Sequence, residues 1–260
     1  MTAATWDPSQ YLRFADARSR PFVDLLAQVG AEAPRRVVDA GCGPGNLTVT
    51  LAERWPNAEV LGFDSSPEMI RRARELAGDR VRFALADATT WVPDHPVDVL
   101  VSNALLHWIP GHDHLVVQWF EGLAPKGWLA FQLPGNFTSP AHRQLGEQLA
   151  EPRWRDTLPA GFEVGAGSFA PEHYLAALSD AGAAVDAWET TYLHVLSGPD
   201  PVLEWIKGTA LRPVLDALGD DDTRAEFTDQ LGTRLQAAYS PGPHGTVFPF
   251  RRIFVVAHRP

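Results

Sequence analysis

A chain of 260 residues, 45% hydrophobic and 21% charged, has an ordinary globular composition and enough length for one large domain with insertions. The formal net charge of −10, from 22 basic and 32 acidic residues, argues against nucleic acid as a partner, because such a protein needs a basic face to neutralise phosphates. Cys42 is the only cysteine, so no intrachain disulfide forms; residues 1–20 lack the apolar core of a signal peptide, and no apolar run approaches the roughly 20 residues that span a bilayer. The expectation is a cytoplasmic protein with no membrane partner, monomeric or weakly homodimeric.

Asp7-Pro8 predicts a helix start, with Asp7 as N-cap and Pro8 in the first turn. A second helix is expected after Arg20, with Phe22, Leu25, Leu26 and Val29 on one face. Both belong to an N-terminal helical segment, residues 1–33. After Pro34, Val37-Val38-Asp39-Ala40 predicts a short buried strand that runs into Gly41-Cys42-Gly43-Pro44-Gly45, and a helix follows through Leu47, Leu51 and Trp55. The alternation continues with a strand over 60–64, then a helix opened by Ser66-Pro67 and running through Met69, Ile70 and Ala73. Strands over 81–85 and 97–102 come next, then a helix over 115–123 and a strand over 128–133. The second half is less regular: a helical insertion with loops over 137–170, a helix over 171–181 and a strand over 185–196. Residues 199–240 read as mostly helical, broken at Pro213 and Gly219, and a last strand covers 250–257. Strands alternating with amphipathic helices imply an α/β fold with a doubly wound, mostly parallel, seven-stranded sheet. The two insertions are expected to cap the carboxyl ends of the strands within a single domain, where open α/β sheets bind ligands.

The densest local signal is Asp39-Ala40-Gly41-Cys42-Gly43-Pro44-Gly45. Glycines let the backbone turn sharply after the strand and approach a ligand closely. Dinucleotide enzymes use G-x-G-x-x-G, but the sixth position counted from Gly41 is Asn46. The tighter G-x-G-x-G with an acid two residues ahead matches binding of S-adenosylmethionine (SAM), which has no pyrophosphate but carries an ammonium and a sulfonium for Asp39 to face. The alternative is a glycine turn that Asp39 merely caps. Asp64 ends the second strand, where a carboxylate accepts hydrogen bonds from both ribose hydroxyls; otherwise it is a solvated strand-end acid. Asp87 follows the third strand, placed to accept the adenine amino group, with Ala88 leaving room for the ring; otherwise it is an ordinary turn aspartate. Ser65, Met69 and Asn103 complete the candidate cofactor set with Gly41, Cys42, Gly43, Gly45 and Asn46.

Asn103-Ala104-Leu105-Leu106-His107-Trp108 follows the fourth strand, where methyl transfer is expected. Base-methylating enzymes carry [D/N]-P-P-[Y/F] there to hold a flipped base, and this chain does not. His107 and Trp108 are candidates to line the substrate pocket, with Trp108 equally suited to packing in the core. The spacing of His107, His112 and His114 fits no zinc pattern, so no metal site is expected.

Together these segments resemble the trans-aconitate 2-methyltransferases. The likeness includes Trp6-Asp7-Pro8, Tyr11-Leu12-Arg13-Phe14, Arg18-Ser19-Arg20-Pro21, the glycine segment through Asn46 and Asp64-Ser65-Ser66-Pro67. It continues through Asn103 to Trp108, Thr190-Thr191-Tyr192-Leu193-His194, Leu211-Arg212-Pro213 and Phe250 to Ala257. The resemblance implies transfer of the SAM methyl group to a carboxylate of trans-aconitate, giving a monomethyl ester. A carboxylate with a pKa of about 4 is already ionised at pH 7, so no catalytic acid or base is expected, only proximity and orientation. A tricarboxylate implies recognition by arginine, whose planar fork pairs bidentately with carboxylate. Arg18, Arg20, Arg212, Arg251 and Arg252 lie in the family-like segments, and Tyr11, Tyr192 and His194 add hydrogen-bonding groups. The rival readings are a SAM-dependent methyltransferase for another small acid or natural product, a SAM-binding protein without catalysis, and, more remotely, a nicotinamide oxidoreductase.

Overall fold

The computed structural model describes the chain from Ala15 to Pro260, with side chains from Ser19 onward. The expected helix start at Asp7-Pro8 and Tyr11 lie outside the described residues. Helix α1 (Ala15–Leu26) begins earlier than expected and carries Pro21 inside it. Its apolar face buries Phe22, Leu25 and Leu26, and Val29 just beyond it is also buried. That burial outweighs the single hydrogen bond a proline removes from a helix.

Strand β1 (Arg36–Ala40) is buried at every position after Arg36, as suits a short apolar strand covered on both faces. Helix α2 (Thr48–Arg54) returns the chain to β2 (Glu59–Asp64), and α3 (Pro67–Ala73) leads to β3 (Val81–Leu85). The Ser66-Pro67 signal acts as expected: Ser66 Oγ accepts the Met69 amide at 3.4 Å, and Pro67 occupies the first turn. β4 (Val97–Asn103), α4 (His112–Glu121) and β5 (Leu123–Pro134) continue the alternation. Then come α5 (Pro140–Ala150), α6 (Pro152–Arg155), α7 (Pro171–Asp180) and β6 (Ala184–Leu196). Helices α8 (Pro201–Lys207), α9 (Arg212–Ala217) and α10 (Asp221–Ala238) precede β7 (Thr246–His258). Pro213 does not break the late helical region as expected; it sits in the first turn of α9, where its missing N–H costs nothing.

The seven strands form one sheet in the order β3-β2-β1-β4-β5-β7-β6. The first five pair in parallel, while β7 runs antiparallel to both β5 and β6. One face packs on an apolar cluster that includes Phe22, Leu51, Trp55, Val101, Tyr192 and Phe254. The other packs on a cluster with Leu100, Val116, Phe131, Tyr174 and Val255. A third cluster joins Leu145, Trp154, Trp205, Leu211 and Phe227 of the later helices to Phe248 and Phe250 at the start of β7.

Two glycines separate conformational strain from crowding. Gly45 has φ +81°, and a Cβ there would meet the Phe83 ring at 2.7 Å; Gly111 has φ +69°, with nothing within 4 Å of an added Cβ. Gly111→Ala should therefore cost the left-handed penalty alone, about 1–2 kcal/mol. Gly45→Ala should lose about 1–3 kcal/mol more through overpacking. Urea melts of both variants read the difference, and equal midpoints would mean that Phe83 yields without cost.

Candidate active site

The turn after β1 is tied to the end of β2 by backbone geometry. Gly41 and Cys42 both donate their N–H to the Phe63 carbonyl, at 2.8 and 2.9 Å. Gly43 N–H donates to Asp64 Oδ2 at 3.0 Å, and Ser66 N–H donates to Asp64 Oδ1 at 2.8 Å. Gly43 has φ +55°, and a Cβ there would meet nothing within 4 Å, so the turn presents bare backbone to open space. Asn46 follows half-buried, Ser65 is exposed, and Met69 is buried on α3 beneath this turn.

Asp39 is buried at the base of the turn and accepts a hydrogen bond from Thr48 Oγ1 at 2.6 Å. Burial pushes its carboxyl up to about 6, with the neighbouring Asp64 charge adding to the shift and Thr48 opposing it. Burial also raises Asp64. The same burial, with both carboxylates near, pushes the Cys42 thiol up, so Cys42 stays neutral and acts as packing under the turn. A buried acid and a half-buried one beside open, glycine-bare backbone form a cradle suited to a cationic ligand. Farther along the edge, Asp87 is exposed, and its Oδ1 accepts Thr89 N–H and Oγ1–H at 2.9 and 2.7 Å. Those bonds hold it below the usual carboxylate range and make it a turn-closing aspartate, with Ala88 buried beside it.

A cavity of about 90 Å³ opens beside the ends of β4 and β5. A few tens of Å³ suffice for one or two waters, so this space takes a small organic acid or several waters. Asn103, Ala104, His107 and Trp108 line it from the β4 side, and Asn136, Phe137 and His142 from the segment after β5. Trp205, Ile206 and Thr209 close it from α8 and the turn beyond, and Phe250 and Arg252 from β7. Arg252 is buried, stacks over the Phe250 ring at 4.8 Å and donates from Nη1 to Gln132 Oε1 at 2.9 Å. Gln132 Nε2 in turn donates to Asn103 Oδ1. These bonds fix which way each amide points. Ala104, next in line, is held at φ +57°, a rare conformation for a residue with a Cβ.

His107 is buried with Nδ1 unpartnered, and burial, then the Arg252 charge, depress its pKa to about 3. His142 is depressed to about 4 by burial. Both rings are neutral at physiological pH. Asn136 is buried with neither side-chain polar atom partnered. His112 bridges the Ile109 carbonyl and the Tyr174 hydroxyl, at 2.9 and 2.7 Å. Among the described residues no group of three or more His, Cys, Asp or Glu could hold a metal ion.

Of the five arginines singled out in the sequence, Arg252 alone among the described side chains lines the cavity. Arg251 faces the other side of the sheet, donating to the Gly135 carbonyl at 2.7 Å and pairing with Glu189. Arg212 is the first residue of α9 and pairs with Asp216 at 3.2 Å. Arg20 is exposed, pairs with Asp24 at 3.6 Å and lies over the Tyr192 ring at 5.2 Å. Arg18 lies on α1, but its side chain is outside the described set. Tyr192 donates its hydroxyl to Asp24 Oδ2 at 2.7 Å, and His194 packs on Trp205 at 4.6 Å. Tyr192 and His194 stand on the Arg252 face of the sheet, and neither lines the cavity. Gln132, Asn136 and His142 were not singled out in the sequence. A polar Gln132 inside the apolar run 128–133, and Asn136 just past a carboxyl strand end, are the signals that point to them.

The raised Asp39 carboxyl has a consequence for stability. Its folded pKa of about 6 exceeds the unfolded 3.8, so its stabilising share is complete below pH about 4 and is lost as pH rises through about 6. Relative to Asp39→Asn, the ligand-free protein should therefore lose stability on the order of 2–3 kcal/mol between pH 4 and 7. Urea titrations at fixed pH measure it, and parallel profiles for the two proteins would place the ionisation elsewhere.

A family model described as a methyltransferase domain matches residues 37–127, which hold the glycine turn and the first four strands. The chain is 52% identical to a trans-aconitate 2-methyltransferase of Streptomyces coelicolor over 100% of this chain and 88% of that protein. It is 51% identical to one from Rhodococcus jostii over 97% of this chain and 98% of that protein. Phosphoethanolamine N-methyltransferase 2 of Haemonchus contortus, in complex with S-adenosyl-L-methionine, shares the fold at a TM-score of 0.56. That likeness has 16% identity and covers 93% of this chain and 52% of that one, so it speaks to the fold alone. Half-identity across nearly the whole length, through the cavity-lining segments as well as the glycine turn, places this chain in the trans-aconitate 2-methyltransferase family of class I SAM-dependent methyltransferases.

Proposed function

We propose that the chain esterifies one carboxylate of trans-aconitate with the SAM methyl group, and that the carboxylate is held by Arg252. The observation that carries this reading is a buried arginine facing a small cavity on the same sheet face as Asp39. SAM supplies an electrophilic methyl on a cationic sulfonium. Asp39 is the acid that would face the positive part of the cofactor, over the bare backbone of Gly41, Gly43 and Gly45. Asp64 would take the ribose hydroxyls; each of its oxygens accepts one backbone N–H and has a second lone pair for a ligand. Cys42, Asn46, Ser65, Met69 and Ala88 would shape the rest of the cofactor groove, with Asp87 at its adenine end and Asn103 between cofactor and acceptor.

Arg252 would bring the acid in by charge and align it by its fork. Five guanidinium donors allow Gln132 and a carboxylate to be held together. Gln132 keeps the guanidinium from swinging, which is how orientation becomes rate when the reacting groups need only be aligned. The carboxylate oxygen is its own nucleophile, already ionised at pH 7. His107, neutral at any pH above about 3, takes no proton in this scheme. Residues 137–170 and 199–240 would cap the site within a single domain, with residues 1–33 contributing α1. A cytoplasmic location and a monomeric or weakly dimeric state belong to the same reading.

Incubation with labelled SAM and a panel of trans-aconitate, cis-aconitate, isocitrate and citrate, with the esters identified by mass spectrometry, tests the substrate. A preference for another acid would redirect the reading to that acid. Arg252→Lys keeps the charge and loses the fork, so KM for the acid should rise at least about tenfold while SAM affinity holds. An unchanged KM would remove Arg252 from the acceptor site. At saturating SAM and acid, turnover should stay flat between pH 6 and 8, because the depressed His107 does not titrate there. A histidine-like inflection near pH 6.5 would require a base.

A further inference from the structure

Arg252 accounts for one carboxylate of the acid, and the cavity contains a second set of polar groups that no described residue satisfies. Asn136 is 4% exposed, with neither Nδ2 nor Oδ1 partnered, and His107 is 7% exposed, with Nδ1 unpartnered. Buried polar atoms are normally hydrogen-bonded, and leaving them unmet is costly, so such groups in a cavity mark where a ligand completes the set. We infer that Asn136, together with His107, forms the subsite for a carboxylate that is neither methylated nor held by Arg252, and that Asn136 thereby sets the preference for acids bearing that extra carboxylate. This inference rests on the proposed acid-methylating reading of the same cavity.

Three elements bring the groups together. His107 comes from the turn after β4, Asn136 from the segment after β5 and Arg252 from β7, and all three line the one cavity. The backbone around Asn136 is held on both sides. Gly135 N–H donates to the Arg251 carbonyl at 2.9 Å, and the Asn136 carbonyl accepts the Ser139 N–H at 2.9 Å. A Cβ on Gly135 would lie 3.0 Å from Ile253 Cγ1, so the approach to Asn136 has no slack. The His107 carbonyl is pinned by Ala166 N–H at 2.7 Å. Trp108 and Phe137 flank the His107 ring at 4.6 and 6.2 Å, giving apolar walls in which a hydrogen bond to a carboxylate is strong. A carboxylate only accepts, so the groups facing it are Asn136 Nδ2–H and a protonated His107 Nδ1 in the neutral ring. Neutral donors complement a second carboxylate without placing another cation beside Arg252.

The test combines two enzyme variants with two ligands. Trans-aconitate and a dicarboxylic analogue lacking one non-reacting carboxylate are titrated into wild type, Asn136→Ala and the near-isosteric Asn136→Asp. Binding is read by calorimetry in the presence of S-adenosylhomocysteine, and KM and kcat by ester formation. Wild type should prefer the tricarboxylate. Asn136→Ala should weaken the tricarboxylate about ten- to a hundredfold and the analogue within about twofold, with cofactor affinity unchanged. Asn136→Asp, which removes the donors and adds like charge, should weaken the tricarboxylate further still, and it reads the subsite even if the alanine variant does not fold. Equal losses for both ligands, or retained affinity in Asn136→Asp, would overturn the subsite while leaving the substrate reading intact. Tricarboxylate binding that depends on Asn136 without ester formation would uphold the subsite and overturn the reaction. Absence of binding to wild type would overturn both.

Discussion

Successive side chains on a strand face opposite sides of the sheet, and this two-residue period governs the site more than any other feature. Asp39 on β1, Asn103 on β4 and Gln132 on β5 all fall on one face because the parallel register runs through them: Asp39 opposes Val101, and Asn103 opposes Gln132. β7 reverses direction, but its pairing of Gln132 with Phe254 puts Phe250, Arg252 and Phe254 on that same face. Arg251 and Ile253 must then point the other way. Two adjacent arginines of identical composition thus acquire unrelated roles, one in the cavity and the other bonded to Gly135 and Glu189.

The same geometry separates charge of opposite sign by a few strands. At the β1–β2 end, Asp39 is buried and Asp64 half-buried beside it, and desolvation raises both carboxyls. At the β5–β7 end, Arg252 is buried beside His107 and His142, whose pKa values fall. Burying charge in a low-dielectric site is costly, and both ends of the site do it. A hydrogen-bond chain from Arg252 through Gln132 to Asn103 ties β7 to β5 and β4.

The strand–helix alternation, the glycine turn and the acids at the ends of β1 and β2 were legible in the sequence. Each is a local property: a run of apolar residues, a residue needing positive φ, a carboxylate at the carboxyl end of a strand. The family likeness was legible for the same reason, since it is carried by contiguous motifs from the glycine turn to Phe250–Ala257. Helix α1 was misplaced at its start because proline normally opens a helix, and only the burial of Phe22, Leu25 and Leu26 against the sheet shows that this one continues through Pro21.

What the tertiary structure alone decided is which polar residues meet. Five arginines looked equivalent in sequence, yet pairing register and helix contacts send Arg20, Arg212 and Arg251 to carboxylate partners of their own. Asn136 carries no motif, and its unmet hydrogen-bonding capacity exists only once the surrounding walls have closed. By itself the sequence determined the sheet, the cofactor turn and the family, because short-range pattern dictates them. The composition of the cavity required the fold, because residues separated by more than a hundred positions, such as Gln132 and Arg252, become neighbours only through strand pairing.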